Sequence, residues 1–281
     1  MDTALEQIRN QQKENWNRFS PGWKKWDAMT MNFLKPMGEE IIRLLQPRNG
    51  EVILDIAAGT GEPGLTIAEM IKDGKVVITD LADGMLEVAK ENAVKRGLTN
   101  VETRVCDVSE LPFNNASFDA VSCRHGFMFF PDMQLAANEM ARVLKPGGRV
   151  ATSVWNAAPK NFWVTAIMSS LNKHFQMPQP PPGAPSMFRC AGTGFIADIF
   201  KKAGLKNIEE KEVNGVMHID NAETYWNFHN DVSAPVVGAL GKADDATKTK
   251  IKAEVFETLK SKYPDGNIQM EFSTLVIYGE K

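Results

Sequence analysis

Val52-Ile53-Leu54-Asp55-Ile56-Ala57-Ala58-Gly59-Thr60-Gly61-Glu62-Pro63-Gly64 decides the fold. A five-residue apolar run broken only by Asp55 has the pattern of a buried strand, and Gly59 to Gly64 fits G-x-G-x-x-G, a turn that feeds a helix. Leu65 to Ile71 supplies that helix, which stops at Gly74. The same alternation then repeats. Val76 to Thr79 predicts a second strand ending at Asp80, followed by a helix from about Met85 to Arg96 closed by Gly97. Val101 to Val105 predicts a third strand ending at Cys106-Asp107, and Phe118 to Cys123 a fourth ending at Arg124-His125-Gly126. A helix around Leu135 to Leu144, the turn Lys145-Pro146-Gly147-Gly148 and a fifth strand, Arg149 to Val154, complete the series. Nearly continuous apolar strands alternating with helices imply a parallel α/β sheet covered on both faces.

The glycine turn followed 21 residues later by Asp80 matches a dinucleotide fingerprint. Two features oppose it. A pyrophosphate needs free amides and positive potential at the helix start. Here Glu62 lies in the turn, Pro63 has no N–H, and Asp55 ends the first strand. A phosphate-free cation reverses the sign. S-adenosylmethionine carries a sulfonium and an ammonium, so Asp55 would attract that end while Gly59 and Gly61 permit close approach. Asp80 offers two acceptors for two ribose hydroxyls, and Asp107 one for an adenine amine. Three carboxylates at successive strand ends line the crevice where open α/β sheets bind ligands.

On these residues the chain resembles the class I S-adenosylmethionine-dependent methyltransferases, and within them the ubiquinone/menaquinone C-methyltransferase group. The resemblance runs through Leu54 to Gly61, Asp80 to Leu86, Asp107 with Leu111-Pro112-Phe113 and Ser117-Phe118-Asp119, and Arg142 to Gly148. It implies a Rossmann-like, mostly parallel seven-stranded sheet of order 3-2-1-4-5-7-6 with strand 7 antiparallel. The candidate strands Val213 to His218 and Phe272 to Tyr278 become the sixth and seventh. It also implies that Asp55, Ala57, Gly59 and Gly61 serve the methionine part, Asp80 the ribose, and Leu81, Met85, Asp107 and Val108 the adenine. Arg124 contributes backbone near the methionine. Many class I members have glycine where this chain has Ala57.

Methyl transfer is an in-line displacement that requires alignment and exclusion of water. A neutral acceptor must also lose a proton, and His125, following the fourth strand, is the candidate base. Packing or substrate orientation by His125 is the alternative. His174, His218 and His229 are expected to be structural or solvent-exposed. Phe127-Met128-Phe129-Phe130 either walls a substrate pocket or packs under the next helix. Trp155, Phe162, Trp163, Phe175 and Phe188, with Trp16, Phe19, Trp23 and Trp26, suggest a small apolar or aromatic methyl acceptor.

The remaining chain is read as one methyltransferase domain, 1–281. Residues 1–47 predict a helix, a break at Ser20-Pro21-Gly22 and a second helix, forming either a docked face or an N-terminal helical lid. Residues 50–155 form the cofactor-binding core, and 156–281 a C-terminal part with substrate-side insertions at about 156–190 and 220–262. Helices are expected at Asn161 to Phe175 and Phe195 to Ala203, separated by a proline-rich loop, Met177 to Pro185.

Composition sets the outer bounds. The 281 residues carry 32 basic and 35 acidic side chains, a net charge of −3, which gives no footprint for nucleic acid. No segment approaches the roughly 20 apolar residues of a membrane span, and the polar start lacks a signal-peptide core, so a cytoplasmic location is expected. Cys106, Cys123 and Cys190 suggest neither disulfides nor a metal site. Three strand spacings, about 14 Å, separate Cys106 from Cys123 in the expected order, which disfavours an arsenite-type methyltransferase. A nicotinamide-dependent reductase and a noncatalytic S-adenosylmethionine-binding protein compete with the methyltransferase reading. The oligomeric state, monomer or homodimer, is open.

Overall fold

The computed structural model describes residues 3–176 and 184–281. Seven strands, β1 (Val52–Ile56), β2 (Lys75–Asp80), β3 (Val101–Val105), β4 (Phe118–Arg124), β5 (Leu144–Trp155), β6 (Lys206–Ile219) and β7 (Ile268–Glu280), form one sheet. Its order is β3-β2-β1-β4-β5-β7-β6, with β7 antiparallel to both neighbours, as the resemblance implies. The inner strands are almost wholly buried, which explains their unbroken apolar runs.

Helices pack on this sheet. The alternation of the core holds: α3 (Gly64–Met70), α4 (Asp83–Lys95) and α5 (Met133–Val143) follow β1, β2 and β4. Among the described residues no helix is long and apolar enough to cross a membrane.

The amino-terminal helices differ from expectation. α1 (Thr3–Lys25) runs straight through Ser20-Pro21-Gly22, and the chain turns at Trp26 before α2 (Asp27–Leu45). Pro21 lacks an N–H, and the Asn17 carbonyl instead accepts from the Ser20 hydroxyl at 2.9 Å. Gly22 is demanded by packing: a Cβ there would lie 2.1 Å from the Asp231 carbonyl oxygen. α2 buries Phe33, Leu34, Met37, Ile41 and Leu45. Each contributes about 2 kcal/mol by burial, so α2 is a core helix and cannot swing open as a lid. Only α1, with Trp16 and Trp23 half-buried, retains that possibility.

Strands β5, β6 and β7 are longer than the sequence suggested. β6 is a polar, largely exposed edge strand, so its apolar residues marked only part of it. β5 begins at Leu144 and contains Lys145-Pro146-Gly147-Gly148 as an irregularity in its register with β4. β6 runs parallel to β5, since both oppose β7, and Ile219 pairs with Ile268 while Trp155 pairs with Thr274. The β6–β7 ribbon therefore rises six residues beyond Trp155 at the carboxyl edge of the sheet. Its connection, α8 (Ala222–Val232), α9 (Ala234–Leu240) and α10 (Asp245–Lys262), is helical as expected, and sits against α1 and α6 (Phe162–His174). α7 (Phe195–Lys202) precedes β6. Most of the proline-rich loop, 177–183, lies outside the described residues.

Candidate functional site

Asp55 sits deep at the end of β1, in register with Ser122 of β4. The Ser122 hydroxyl donates to its Oδ1 at 2.6 Å and the Gly64 N–H to its Oδ2 at 2.9 Å. Burial pushes the carboxyl up to about 7, against the lowering effect of those two bonds. Fully buried, Asp55 holds the first turn of α3 from beneath. Gly64 fits this arrangement because a Cβ would lie 2.8 Å from Asp55 Oδ2.

The amides of that first turn are all committed. Gly64 N–H serves Asp55, Leu65 N–H the Gly61 carbonyl, Thr66 N–H the Glu62 carboxylate and Ile67 N–H the Pro63 carbonyl. Pro63 has none to give. Glu62 itself is paired with Arg96, so its charge does not repel an anion as strongly as the sequence suggested. What closes the turn to a pyrophosphate is the missing supply of donors.

The turn before α3 is open on its other side. Ala57, Gly59 and Gly61 have φ of 52°, 57° and 115°, and a Cβ at Gly59 would meet nothing within 4 Å. Ala57 thus occupies left-handed backbone where glycine is favoured, at a cost of about 1 kcal/mol. Asp80, almost completely buried, accepts from Gly59 N–H through Oδ2 and from Ala82 N–H through Oδ1, both at 2.9 Å. Burial raises its carboxyl pKa despite these bonds. Each oxygen keeps a further lone pair for a ligand hydroxyl. Asp107 caps the turn Val108–Glu110 by accepting from Ser109 N–H at 2.8 Å, and its Oδ2 lies 3.5 Å from Arg9 of α1. Met85 and Val108 are buried and Leu81 is half-buried between Asp80 and α4.

The loop after β4 meets the loop after β1: a Cβ on Gly126 would be 2.9 Å from Ala57 Cβ. Arg124 directs its guanidinium toward α2, where Nη2 lies 3.7 Å from Met31 Sδ. Burial lowers its pKa, while the fields of Glu62, Asp55 and Asp27 support the charge. His125, at φ 57°, anchors its N–H on Ser153 and stacks on Trp155 with centroids 4.2 Å apart. Both ring nitrogens are buried without a partner. Burial, reinforced by Arg124, holds its pKa well below the usual histidine range. The ring is neutral, with no group that fixes its tautomer.

Phe127, Met128 and Phe130 are buried, whereas Phe129 meets Trp16 of α1 edge-on at 5.2 Å. The four-residue apolar run therefore divides between core and α1. His229 is a structural group: fully buried, it bonds the Trp163 carbonyl at 3.0 Å, and burial lowers its pKa to about 4. His174 pairs with Glu254 at 2.9 Å. Burial raises the thiols of Cys106, Cys123 and Cys190 to about 11, 12 and 11, which keeps them protonated.

Two residues that sequence reasoning missed carry unpartnered buried polar atoms, Asp27 Oδ1 and Thr60 Oγ1, as does Trp23 Nε1 among the expected aromatics. The Asn92 amide bonds both the Thr60 carbonyl, at 3.1 Å, and Asp27 Oδ2, at 3.3 Å. Asp27 thus belongs to the rim of the glycine turn. Only its position at a helix start distinguishes it in the sequence.

A family model described as a methyltransferase domain matches residues 53–148, the segment that carries the glycine turn, Asp80, Asp107 and the β4 loop. Through this segment the chain is similar to the class I S-adenosylmethionine-dependent methyltransferases. Nocamycin O-methyltransferase of Saccharothrix syringae is 25% identical over 268 residues, 90% of this chain and 94% of that protein. The ubiquinone/menaquinone biosynthesis C-methyltransferase UbiE of Teredinibacter turnerae is 40% identical over 111 residues, 39% of this chain and 45% of that one. Among solved structures, the YcgJ protein of Bacillus subtilis covers 87% of this chain and 97% of its own, with a TM-score of 0.58 and 21% identity, a likeness of fold. The open face of Gly59 and the orphaned Thr60 and Asp27 atoms fit a bound S-adenosylmethionine.

Proposed function

We propose that this methyltransferase alkylates a small apolar or aromatic metabolite by in-line transfer from S-adenosylmethionine. The observation that carries the reading is the first turn of α3: every amide there is committed internally, so a nicotinamide dinucleotide finds no pyrophosphate site. The bound sulfonium supplies an electrophilic methyl group. Asp80 holds the ribose hydroxyls, Asp107 and Val108 the adenine, and Gly59 and Gly61 admit the ligand to the backbone. The Trp16–Phe129 pair and the His125–Trp155 stack, with Phe129 and His125 both from the segment after β4, support an apolar acceptor. The relative named nocamycin O-methyltransferase supports a small-molecule acceptor.

Calorimetry with S-adenosylhomocysteine and NADH, followed by transfer of a labelled methyl group to a metabolite panel, tests this reading. Binding of S-adenosylhomocysteine and label transfer are expected. Binding of NADH alone would replace it with a reductase, and cofactor binding without transfer to any acceptor would favour a noncatalytic role.

A base works best with a pKa near the operating pH. His125 is neutral but weakly basic and has no orienting partner, so its proposed role is to hydrogen-bond the acceptor. His125→Gln should retain kcat within about tenfold and leave the pH profile of kcat/KM in place. A loss of about 100-fold or more with displacement of the acidic limb would restore the base assignment.

A further inference from the structure

Arg124 and Asp27 carry opposite charges at the rim of the glycine turn, and neither has an ion-pair partner within 4.0 Å among the described residues. Arg124 is largely withdrawn from solvent, yet the contact its guanidinium makes is with the Met31 thioether at 3.7 Å, a poor acceptor. The nearby carboxylates are already engaged. Glu62 serves Arg96 and Thr66 N–H, and Asp55 serves Ser122 and Gly64. On the other side, Asp27 Oδ1 is buried and unbonded, as is Thr60 Oγ1, and the Asn92 amide joins the two residues by donating to Asp27 Oδ2 and to the Thr60 carbonyl. Arg124 nevertheless feels the field of Asp27. The half-buried Arg124 and the buried Asp27 Oδ1 lie on one rim without pairing, and a ligand carrying both complementary charges satisfies each side.

We propose that Asp27 and Arg124 together form a receptor for a zwitterionic α-amino-acid group, the methionine end of the cofactor, with Asp27 meeting the ammonium and Arg124 the carboxylate. The inference rests on S-adenosylmethionine being the ligand. It moves the recognition of that end away from Asp55, whose oxygens are sealed beneath α3, to an acid on α2, outside the family-matched residues 53–148. Thr60 Oγ1, a donor and an acceptor, completes the set from the turn itself. α2 is a core helix, so Asp27 is presented on a rigid element, and the side chain of Arg124 becomes a ligand contact in addition to its backbone.

Calorimetry on the full chain with three neutral-sulfur ligands tests the receptor: S-adenosylhomocysteine, its decarboxylated analogue, which keeps the amine, and 5′-methylthioadenosine, which lacks the amino-acid end. Asp27→Asn should weaken the first two by about tenfold to a hundredfold, the value of one charge-assisted hydrogen bond, and leave 5′-methylthioadenosine unchanged. Arg124→Met should weaken S-adenosylhomocysteine alone by a similar factor. Asp27→Ser, which keeps a small polar oxygen at the same position without the charge, replaces the asparagine variant if that fails to fold. Equal weakening of all three ligands, or undiminished S-adenosylhomocysteine binding, overturns the receptor. If the unsubstituted chain binds neither S-adenosylhomocysteine nor 5′-methylthioadenosine, the cofactor reading itself has failed.

Discussion

Asp80→Ala should weaken S-adenosylhomocysteine binding by about a thousandfold or more and lower stability by about 2 to 4 kcal/mol. The carboxylate joins two loops: Oδ2 accepts from Gly59 and Oδ1 from Ala82, each at 2.9 Å. Removing it leaves both amides unpaired in a nearly closed site, at about 1 to 3 kcal/mol for each group that water fails to reach. Gly59 then loses the contact that holds its φ of 57°, and the turn loses its shape. The ligand would also lose two charge-assisted bonds from the ribose hydroxyls, about 1.5 to 3 kcal/mol apiece. Asp80→Asn separates these contributions. Its amide oxygen can still accept from one backbone N–H, but its NH2 opposes the other, so stability should fall less than in the alanine variant while ligand binding still drops sharply. Calorimetric titration and thermal melting measure the two effects. An alanine variant that binds S-adenosylhomocysteine within tenfold of the parent chain would remove Asp80 from the ribose site.

The core was legible because its signals are local. β1 and β2 are buried apolar runs with a carboxylate at or next to the last residue, and a strand-turn-helix pattern needs only adjacent residues to be recognised. Asp80 and Asp107 are where that pattern indicates. Asp55 was found for its position, but its burial was not legible: that depends on Ser122 of β4 coming into register beside it and on Gly64 bending over it. The flanks failed for the same reason. Ser20-Pro21-Gly22 has the composition of a break, yet Gly22 is required by the Asp231 backbone, some 200 residues away in sequence. The polar sequence of β6 hides a 14-residue edge strand whose pairing comes from β7. Asp27 is one of 35 acidic residues, and only the packing of α2 beside the glycine turn gives it a role.

The contribution of Asp55 to stability should fall as pH rises from 5 to 7, against the opposite slope of the buried His125 and His229, and Asp55→Asn should abolish that contribution. Burial raises the folded carboxyl to about 7, whereas in an unfolded chain it titrates near the ordinary aspartate value of about 4. Between these limits the native state holds a proton that the unfolded state has released. The Asp55 contribution therefore decreases with pH, by at most about 1.4 kcal/mol per unit, or on the order of 2 kcal/mol from pH 5 to 7. Asparagine resembles the protonated carboxyl. Its oxygen can accept from Gly64 N–H and its NH2 can donate to Ser122 Oγ, so both hydrogen bonds survive without a buried charge. The parent and variant should have similar stability at pH 5, with the variant ahead at pH 8 by about 2 kcal/mol or more. Asp80 is also raised by burial and contributes a slope of the same sign, but it is present in both proteins and cancels in their difference. Urea denaturation at pH 5, 6, 7 and 8 measures that difference. Parallel curves for the two proteins would mean that Asp55 is ionised throughout this range, and that Arg124 and the two hydrogen bonds outweigh the cost of its burial.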